Sequence, residues 1–138
     1  LIYRELFKEY HAMHRPYMNM LNELLAKHQL FSSQWGIMRT LKLEGPKNIV
    51  EIASIFYIEK PSASNLVRKL AELGYVEAGQ GKDKREKIIR LTQQGETVFT
   101  EVSETIDAFL SSIVEGISEE DQRTVISALE TIRKNLLK

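Results

Sequence analysis

Apolar residues recur at helical spacing over the first thirty positions, where Leu6, Tyr10, Met13, Tyr17, Leu21 and Leu24 stand three or four apart. Pro16 removes a backbone donor inside this pattern, which predicts a kink or a helix restart there. Ser32 has the chemistry of an N-cap for a second helix through Leu43, with Trp35, Ile37, Met38 and Leu41 facing inward, and Glu44-Gly45-Pro46 ends it. A third short helix is expected over 49–57. A fourth is expected over 60–73, with Ala63, Leu66, Val67, Leu70 and Leu73 on one stripe and Gly74 as its C-terminal cap. The period then changes. Residues 75–78 and 88–92 read as two short strands around a glycine-bracketed, charged tip over 79–87, which is a β-hairpin. Thr92 is placed to cap a fifth helix running to about Glu115, striped by Val98, Val102, Ile106, Phe109, Leu110 and Ile113. Ser118 followed by Glu119, Glu120 and Asp121 has the form of an N-cap and an acidic first turn, opening a last helix that carries Val125, Ile126, Leu129, Ile132 and Leu136.

The expected fold class is therefore mainly α with a small β-hairpin: four helices, a hairpin and two more helices. A core of this size does not easily cover the wide apolar stripes at both ends, so these helices are expected to pack against a second copy of the chain. The other reading, helices folded back onto the same monomer, stays open at this level.

Composition adds little until it is resolved along the chain. No apolar run approaches a membrane span, and no signal-peptide pattern opens the sequence, so a cytoplasmic protein without membrane partners is expected. The chain begins at Leu1 rather than methionine, so further residues are expected ahead of it. The absence of cysteine removes disulfides and thiolate metal sites. Net charge is zero, which taken alone argues against a nucleic-acid partner. Its distribution argues the other way. Residues 1–44 carry six basic and four acidic groups, 45–95 carry nine and six, and 96–138 carry four and nine, giving +2, +3 and −5. Phosphate binding needs local positive potential rather than a basic whole.

The centre of the chain follows helix-turn-helix grammar. Ala53 is small where two helices would cross, Phe56 and Ile58 flank the turn as expected buried positions, and Ala63, Leu66 and Leu70 anchor the second helix. That leaves Lys60, Ser62, Ser64, Asn65, Arg68 and Lys69 on its exposed side. Small hydroxyl residues near a helix start let the backbone approach phosphates, while Asn and Arg can make bidentate contacts to base edges. Pro61 is tolerated only in a first turn, which starts this helix near Lys60. The hairpin tip packs Lys82, Lys84, Arg85 and Lys87 into six positions beside that helix. Such a ribbon can straddle the phosphate backbone and lower an arginine into the minor groove; the competing reading is a solvated hairpin charged to discourage edge pairing.

These residues resemble a known family. Asp83-Lys84-Arg85, then Ile89-Arg90-Leu91-Thr92, then Gly95, look like the D-x-R…R-L-T-x-x-G signature of the multiple-antibiotic-resistance regulator (MarR) family. The run from Ala53 through Leu70-Ala71-Glu72-Leu73-Gly74-Tyr75-Val76 is similar to that family's recognition helix and its entry into the wing, and Ser33-Gln34-Trp35 with Ile37, Met38 and Leu41 to the start of its second helix. The resemblance implies a winged helix-turn-helix regulator, with residues 32–95 binding double-stranded DNA and 1–31 with 96–138 forming dimerisation helices of a homodimer on a pseudo-palindromic site. It implies that Arg85 is a wing-tip minor-groove arginine and that Asp83 orients it through a carboxylate–guanidinium pair. It further implies a repressor released by a small aromatic or anionic effector. Two positions depart from the pattern: Tyr57 stands at a turn position often held by glycine, and Ala78 or Gly79 where a basic residue is common.

Other constellations carry less. Trp35, Met38, Arg39, Tyr17 and His14 could line an effector pocket with Arg39 pairing an anion; the ordinary reading makes Trp35 and Met38 core and Arg39 surface. His11 and His14 are three apart and could share a metal with Glu9, but paired histidines on an exposed helix are usually polar surface, and no metal or cofactor is expected. Without cysteine, the thiol-based peroxide sensing of one branch of the family is excluded. No catalytic ordering, metal-binding helix motif or phosphate loop is present, so an enzyme is not expected. The alternative from another class is a winged-helix protein–protein adaptor that does not bind DNA.

Overall fold

A computed structural model describes residues 1–83 and 85–138. Among them the elements run α1 (Ile2–Ala26), α2 (Ser32–Glu44), α3 (Ile49–Ile55), α4 (Lys60–Glu72), β1 (Val76–Gln80), β2 (Lys87–Leu91), α5 (Gln93–Ile113) and α6 (Glu119–Leu136). Residues 1–106 form one compact unit and 107–138 a second. No helix among the described residues is long and apolar enough to cross a membrane.

Helix α1 continues through Pro16 without the expected restart. The lost donor would leave the Ala12 carbonyl unpaired, but both residues lie on an exposed stretch where water can take that bond. Helix α2 starts one residue away from expectation: Phe31 is the N-cap and Ser32 already helical. The cap is assembled from other side chains. Gln34, itself buried, accepts the Phe31 N–H at 2.9 Å, and Asn22 of α1 accepts the Ser32 N–H at 2.9 Å. A local bond from Gln34 and a tertiary one from Asn22 thus satisfy the first N–H groups of α2.

The core of the first unit is built from one stripe per element: Leu21 and Leu25, then Trp35, Ile37, Met38 and Leu41, then Ile52, Ala63, Val67 and Leu70, then Val76 and Ile89, then Val98, Val102 and Ile106. Trp35 stacks on Phe99 with ring centroids 5.0 Å apart, and Lys42 pairs with Glu96 at 2.6 Å, so two contacts fasten α2 to α5. Tyr75 is buried and its hydroxyl donates to the His28 carbonyl at 2.9 Å. Burial, and secondarily the Glu101 carboxylate, push its ionisation above the ordinary value, which keeps the donor protonated.

The strands are antiparallel, with Val76 opposite Leu91 and Gln80 opposite Lys87. They reach further than their hydrophobic residues suggested, so Lys87 belongs to β2 and the tip shortens to 81–86. A feature absent from the sequence reading is that Lys47, in the α2–α3 connection, exchanges both backbone hydrogen bonds with Ile89, at 3.1 and 2.8 Å. The hairpin is therefore pinned to the body of the unit at one point on the outer edge of β2.

Where the hairpin returns, four residues meet. Thr92 donates its hydroxyl to the Gly74 carbonyl at 2.5 Å, accepts the Gly95 N–H at 3.0 Å, and sends its own N–H to the Tyr75 carbonyl at 3.0 Å. Gly74 has φ 84°, as a helix-ending glycine should, and Thr92 caps α5 as expected. Gly95 lies so close that a Cβ there would stand 2.0 Å from the Tyr75 carbonyl oxygen.

In the second unit Ser118 caps α6, its hydroxyl accepting the Asp121 N–H at 3.1 Å, with Glu119, Glu120 and Asp121 at the positive helix end. Helix α5 stops at Ile113 rather than Glu115, ahead of a turn in which Gly116 takes φ 85°. Helix α6 buries none of its residues; Val125, Ile126 and Leu129 are 53, 55 and 53% exposed.

Gly95→Ala should destabilise the protein by about 3 kcal/mol, the upper end for overpacking, because the obstacle is backbone rather than a movable side chain. Urea unfolding checks this. A loss below about 0.5 kcal/mol would mean that the junction relaxes freely.

Candidate nucleic-acid interface

Helix α3 is short and held by its caps. Asn48 Oδ1 accepts the Glu51 N–H at 2.8 Å while Glu51 accepts the Asn48 N–H at 3.0 Å, a reciprocal capping box. The turn that follows closes on the backbone: the Ile58 N–H reaches the carbonyl of buried Ala53 at 3.1 Å. Between them Tyr57 sits at φ 54°, the left-handed conformation that a glycine at this turn position adopts without strain, with its side chain 77% exposed. Phe56 and Ile58 are half-buried rather than buried. The Phe56 ring lies across Gly36 of α2, where a Cβ would meet it at 3.1 Å, so the ring covers a helix surface and keeps one edge in solvent.

Helix α4 separates its faces cleanly. Ala63, Val67 and Leu70 are buried and Leu66 half-buried, while Lys60, Ser62, Ser64, Asn65, Arg68 and Lys69 are all exposed. Pro61 lies in the first turn. On the outer face the Arg68 guanidinium donates to Asn65 Oδ1 and stands 3.9 Å from Glu72. The two side chains best suited to base edges are thus joined to each other, one turn apart.

The described residues of the wing tip are tied together by short-range hydrogen bonds. The Gly81 N–H donates to the Glu86 carbonyl at 2.9 Å and the Glu86 N–H to the Asp83 carbonyl at 2.9 Å. Asp83 does engage Arg85, but through the backbone: Asp83 Oδ1 accepts the Arg85 N–H at 3.1 Å. The expected carboxylate–guanidinium pair is not formed among the described residues; the Asp83 carboxylate instead closes a local turn on the amide two residues on. Lys82, Arg85 and Lys87 are exposed; Lys84 lies outside the described residues.

Helix and hairpin are brought to one place. A cleft of about 470 Å³ has Lys60 of α4 on one side and Asp83, Arg85, Glu86 and Lys87 of the hairpin on the other, with Asn48 between. Three cations from two separate parts of the sequence, Lys60 and the Arg85–Lys87 stretch, share this opening with the carboxylates of Asp83 and Glu86. Sequence reading missed Asn48, although an Asn followed three residues later by Glu51 before an apolar run was a readable cap. To Arg90 it gave a place in the signature but no role. That side chain is exposed and its guanidinium lies over Gly79, where a Cβ would come within 2.5 Å of it. A cation therefore stands at the wing base after all, supplied by β2 across the ladder instead of by Ala78 or Gly79, and only the register reveals it.

The five residues considered for an effector do not form one open pocket wall. Trp35 and Met38 are core, as the ordinary reading had it, and Tyr17 packs half-buried against that core. His14 and Arg39 are exposed. His14 lies 5.7 Å from the Tyr10 ring and shares a surface concavity of about 450 Å³ with His11, Arg15, Met18 and Asn19.

A family model described as a winged helix DNA-binding domain matches residues 30–95. The chain is similar to the HTH-type transcriptional regulator YwoH of Bacillus subtilis, 34% identical over 101 residues that cover 73% of this chain and 74% of that protein. It is 28% identical to the HTH-type transcriptional regulator SAS2155 of Staphylococcus aureus, covering 100% of this chain and 97% of that one. Among solved structures, Staphylococcus aureus MarR in complex with salicylate and kanamycin superposes with a TM-score of 0.89 at 27% identity, over 99% of this chain and 93% of that one. A mutant E. coli MarR complexed with operator DNA shares the fold at a TM-score of 0.82 and 16% identity, over 93% of each chain.

Tyr57→Gly should raise stability by about 0.5–1 kcal/mol. Relief of the left-handed tyrosine is worth about 1–2 kcal/mol, and the added freedom of glycine in the unfolded chain takes back about 0.5–1. Thermal unfolding with matched controls would show it; a lower Tm would mean the exposed ring contributes more than the backbone strain costs.

Proposed function

The chain belongs to the MarR family of winged-helix transcriptional regulators, a family of regulators rather than enzymes, and from that premise we propose that it acts as a homodimeric, sequence-specific repressor. The observation that carries the DNA reading is the shared cleft, in which Lys60 of α4 and Arg85 and Lys87 of the wing face one opening beside the polar face of α4. A phosphate backbone running between helix and ribbon would meet cations from both.

On this reading residues 32–95 bind DNA and 1–31 with 96–138 form the dimer. Helix α4 enters the major groove. Ser62 and Ser64 approach phosphates at its start, and Lys69 does so further along. Asn65 and Arg68 exchange their mutual hydrogen bond for base edges, Asn suited to adenine and Arg to guanine. Lys82, Lys84 and Lys87 contact phosphates while Arg85 enters the minor groove, with Asp83 shaping the tip that presents it. Support for the dimer comes from apolar side chains left open to solvent: Leu6, Tyr10 and Met13 on α1, and Val125, Ile126 and Leu129 on α6. Exposed stripes of this size mark interaction surfaces, and a second copy offers the self-complementary match of a two-fold interface. The salicylate in the Staphylococcus aureus complex favours an aromatic acid as effector. Here Arg39 and His14, whose polar groups reach the surface, would meet it, with Tyr17, Trp35 and Met38 behind them as apolar support.

Binding to duplexes selected from a random pool tests the reading. Affinity should fall about 10³–10⁵-fold between roughly 50 and 200 mM salt if 6–10 phosphates are contacted; a flat response would favour the adaptor. Arg85→Ala should cost about 1–3 kcal/mol of binding and leave the dimer intact, and unchanged affinity would remove the minor-groove role.

Asn65→Ala and Arg68→Ala should relax sequence preference as well as weaken binding, read by repeating the selection with each variant. A uniform loss over all sequences would make them phosphate contacts. Sedimentation at micromolar concentration should show a dimer whose selected half-sites lie about 34 Å apart, and Leu129→Arg should shift it towards monomer. A wild-type monomer would overturn the dimer.

A further inference from the structure

We propose that Asn48 and Glu86 form a strut that sets the height of the wing over the recognition helix, which makes both of them positioning residues for DNA contact; the DNA part of this rests on the reading above. The Asn48 side chain works at both ends. Its Oδ1 caps α3 by accepting the Glu51 N–H at 2.8 Å, and its Nδ2 donates to Glu86 Oε1 at 2.6 Å, across 38 residues of sequence. The amide orientation follows from chemistry, since only the oxygen can accept the backbone N–H and only the nitrogen can serve a carboxylate.

Glu86 is the right place to hold the tip. Its N–H donates to the Asp83 carbonyl and its own carbonyl accepts the Gly81 N–H, each at 2.9 Å, so fixing Glu86 fixes the turn that presents Arg85. The body grips β2 at Ile89 through Lys47. Glu86 lies three residues further out, just beyond the end of β2 and about 10 Å away if the chain is extended, and the strut is a second anchor that stops the tip pivoting about the first. Charge supports the assignment. A carboxylate in a cleft with Lys60, Arg85 and Lys87 opposes phosphate binding, so attraction to DNA does not account for it. Its short, charge-assisted bond to Asn48 does.

Asn48→Asp separates the strut from the cap, because aspartate caps helices as well as asparagine but sets one carboxylate against another. Asn48→Asp combined with Glu86→Gln restores the bond in the reverse direction at unchanged net charge. Amide exchange in the full-length free protein should show Gly81 and Glu86 about tenfold faster in Asn48→Asp and in Glu86→Ala, with α4 unaffected, and the double variant within about twofold of wild type. Affinity for a random-sequence duplex pool should follow the same order. On charge alone Glu86→Ala would bind more tightly; without its strut it should bind more weakly. A double variant that exchanges as fast as Asn48→Asp, unaltered wing amides in the single variants, or a tighter-binding Glu86→Ala would each overturn the proposal. If the wild-type protein binds no duplex, the DNA reading fails, while the exchange data still decide whether the strut exists.

Discussion

The close meeting of Gly74, Tyr75, Thr92 and Gly95 is the constraint on which the rest of the first unit depends. Three segments arrive there at once: the end of α4, the start of the hairpin and the start of α5. Thr92 holds the first and last with one hydroxyl, donating to Gly74 and accepting from Gly95. Its backbone N–H holds the second. The approach leaves no room for a side chain at Gly95, since a Cβ would fall 2.0 Å from a carbonyl oxygen. The direction in which the wing leaves the helix, and the direction in which α5 leaves the wing, are therefore set together. The threonine and glycine of the R-L-T-x-x-G signature find their physical reason in this junction, and its arginine is the cation over Gly79.

From that junction the wing extends as a ribbon secured on a second side. Lys47 pairs with Ile89 through the backbone, and Asn48 reaches Glu86 beyond it. A two-stranded ribbon alone is marginal in water; with its edge pinned to the body it can present cations at a definite place. The neutral total charge does not stand against this, because the acidic excess belongs to residues 96–138 and the basic excess to the segments before them. What a polyanion meets is the local field.

Apolar exposure is as informative as charge. Helix α6 fully buries none of its residues while carrying a regular apolar stripe, and most of the apolar residues along the first half of α1 are similarly open. Amphipathic helices draw most of their stability from a packed face, so such stripes make sense against a partner surface and make little sense in water.

Sequence alone determined the elements, because period and punctuation are local. The 3.6-residue stripes, the Gly45 and Gly74 stops, the Ser118 and Thr92 caps and the change to an extended pattern after Gly74 all act within a few residues of themselves. The same locality let the polar face of α4 be read in advance. Contacts between distant segments were decided only by the tertiary structure. Asn22 of α1 takes the Ser32 N–H at the start of α2, a bond between two helices. The union of Lys60, Arg85 and Lys87 in one cleft, the placing of Arg90 over Gly79 and the Asn48–Glu86 bond all depend on register and on which loop packs beside which strand. No pattern along the chain encodes those relations one residue at a time; they follow from the way the packed core brings its segments together.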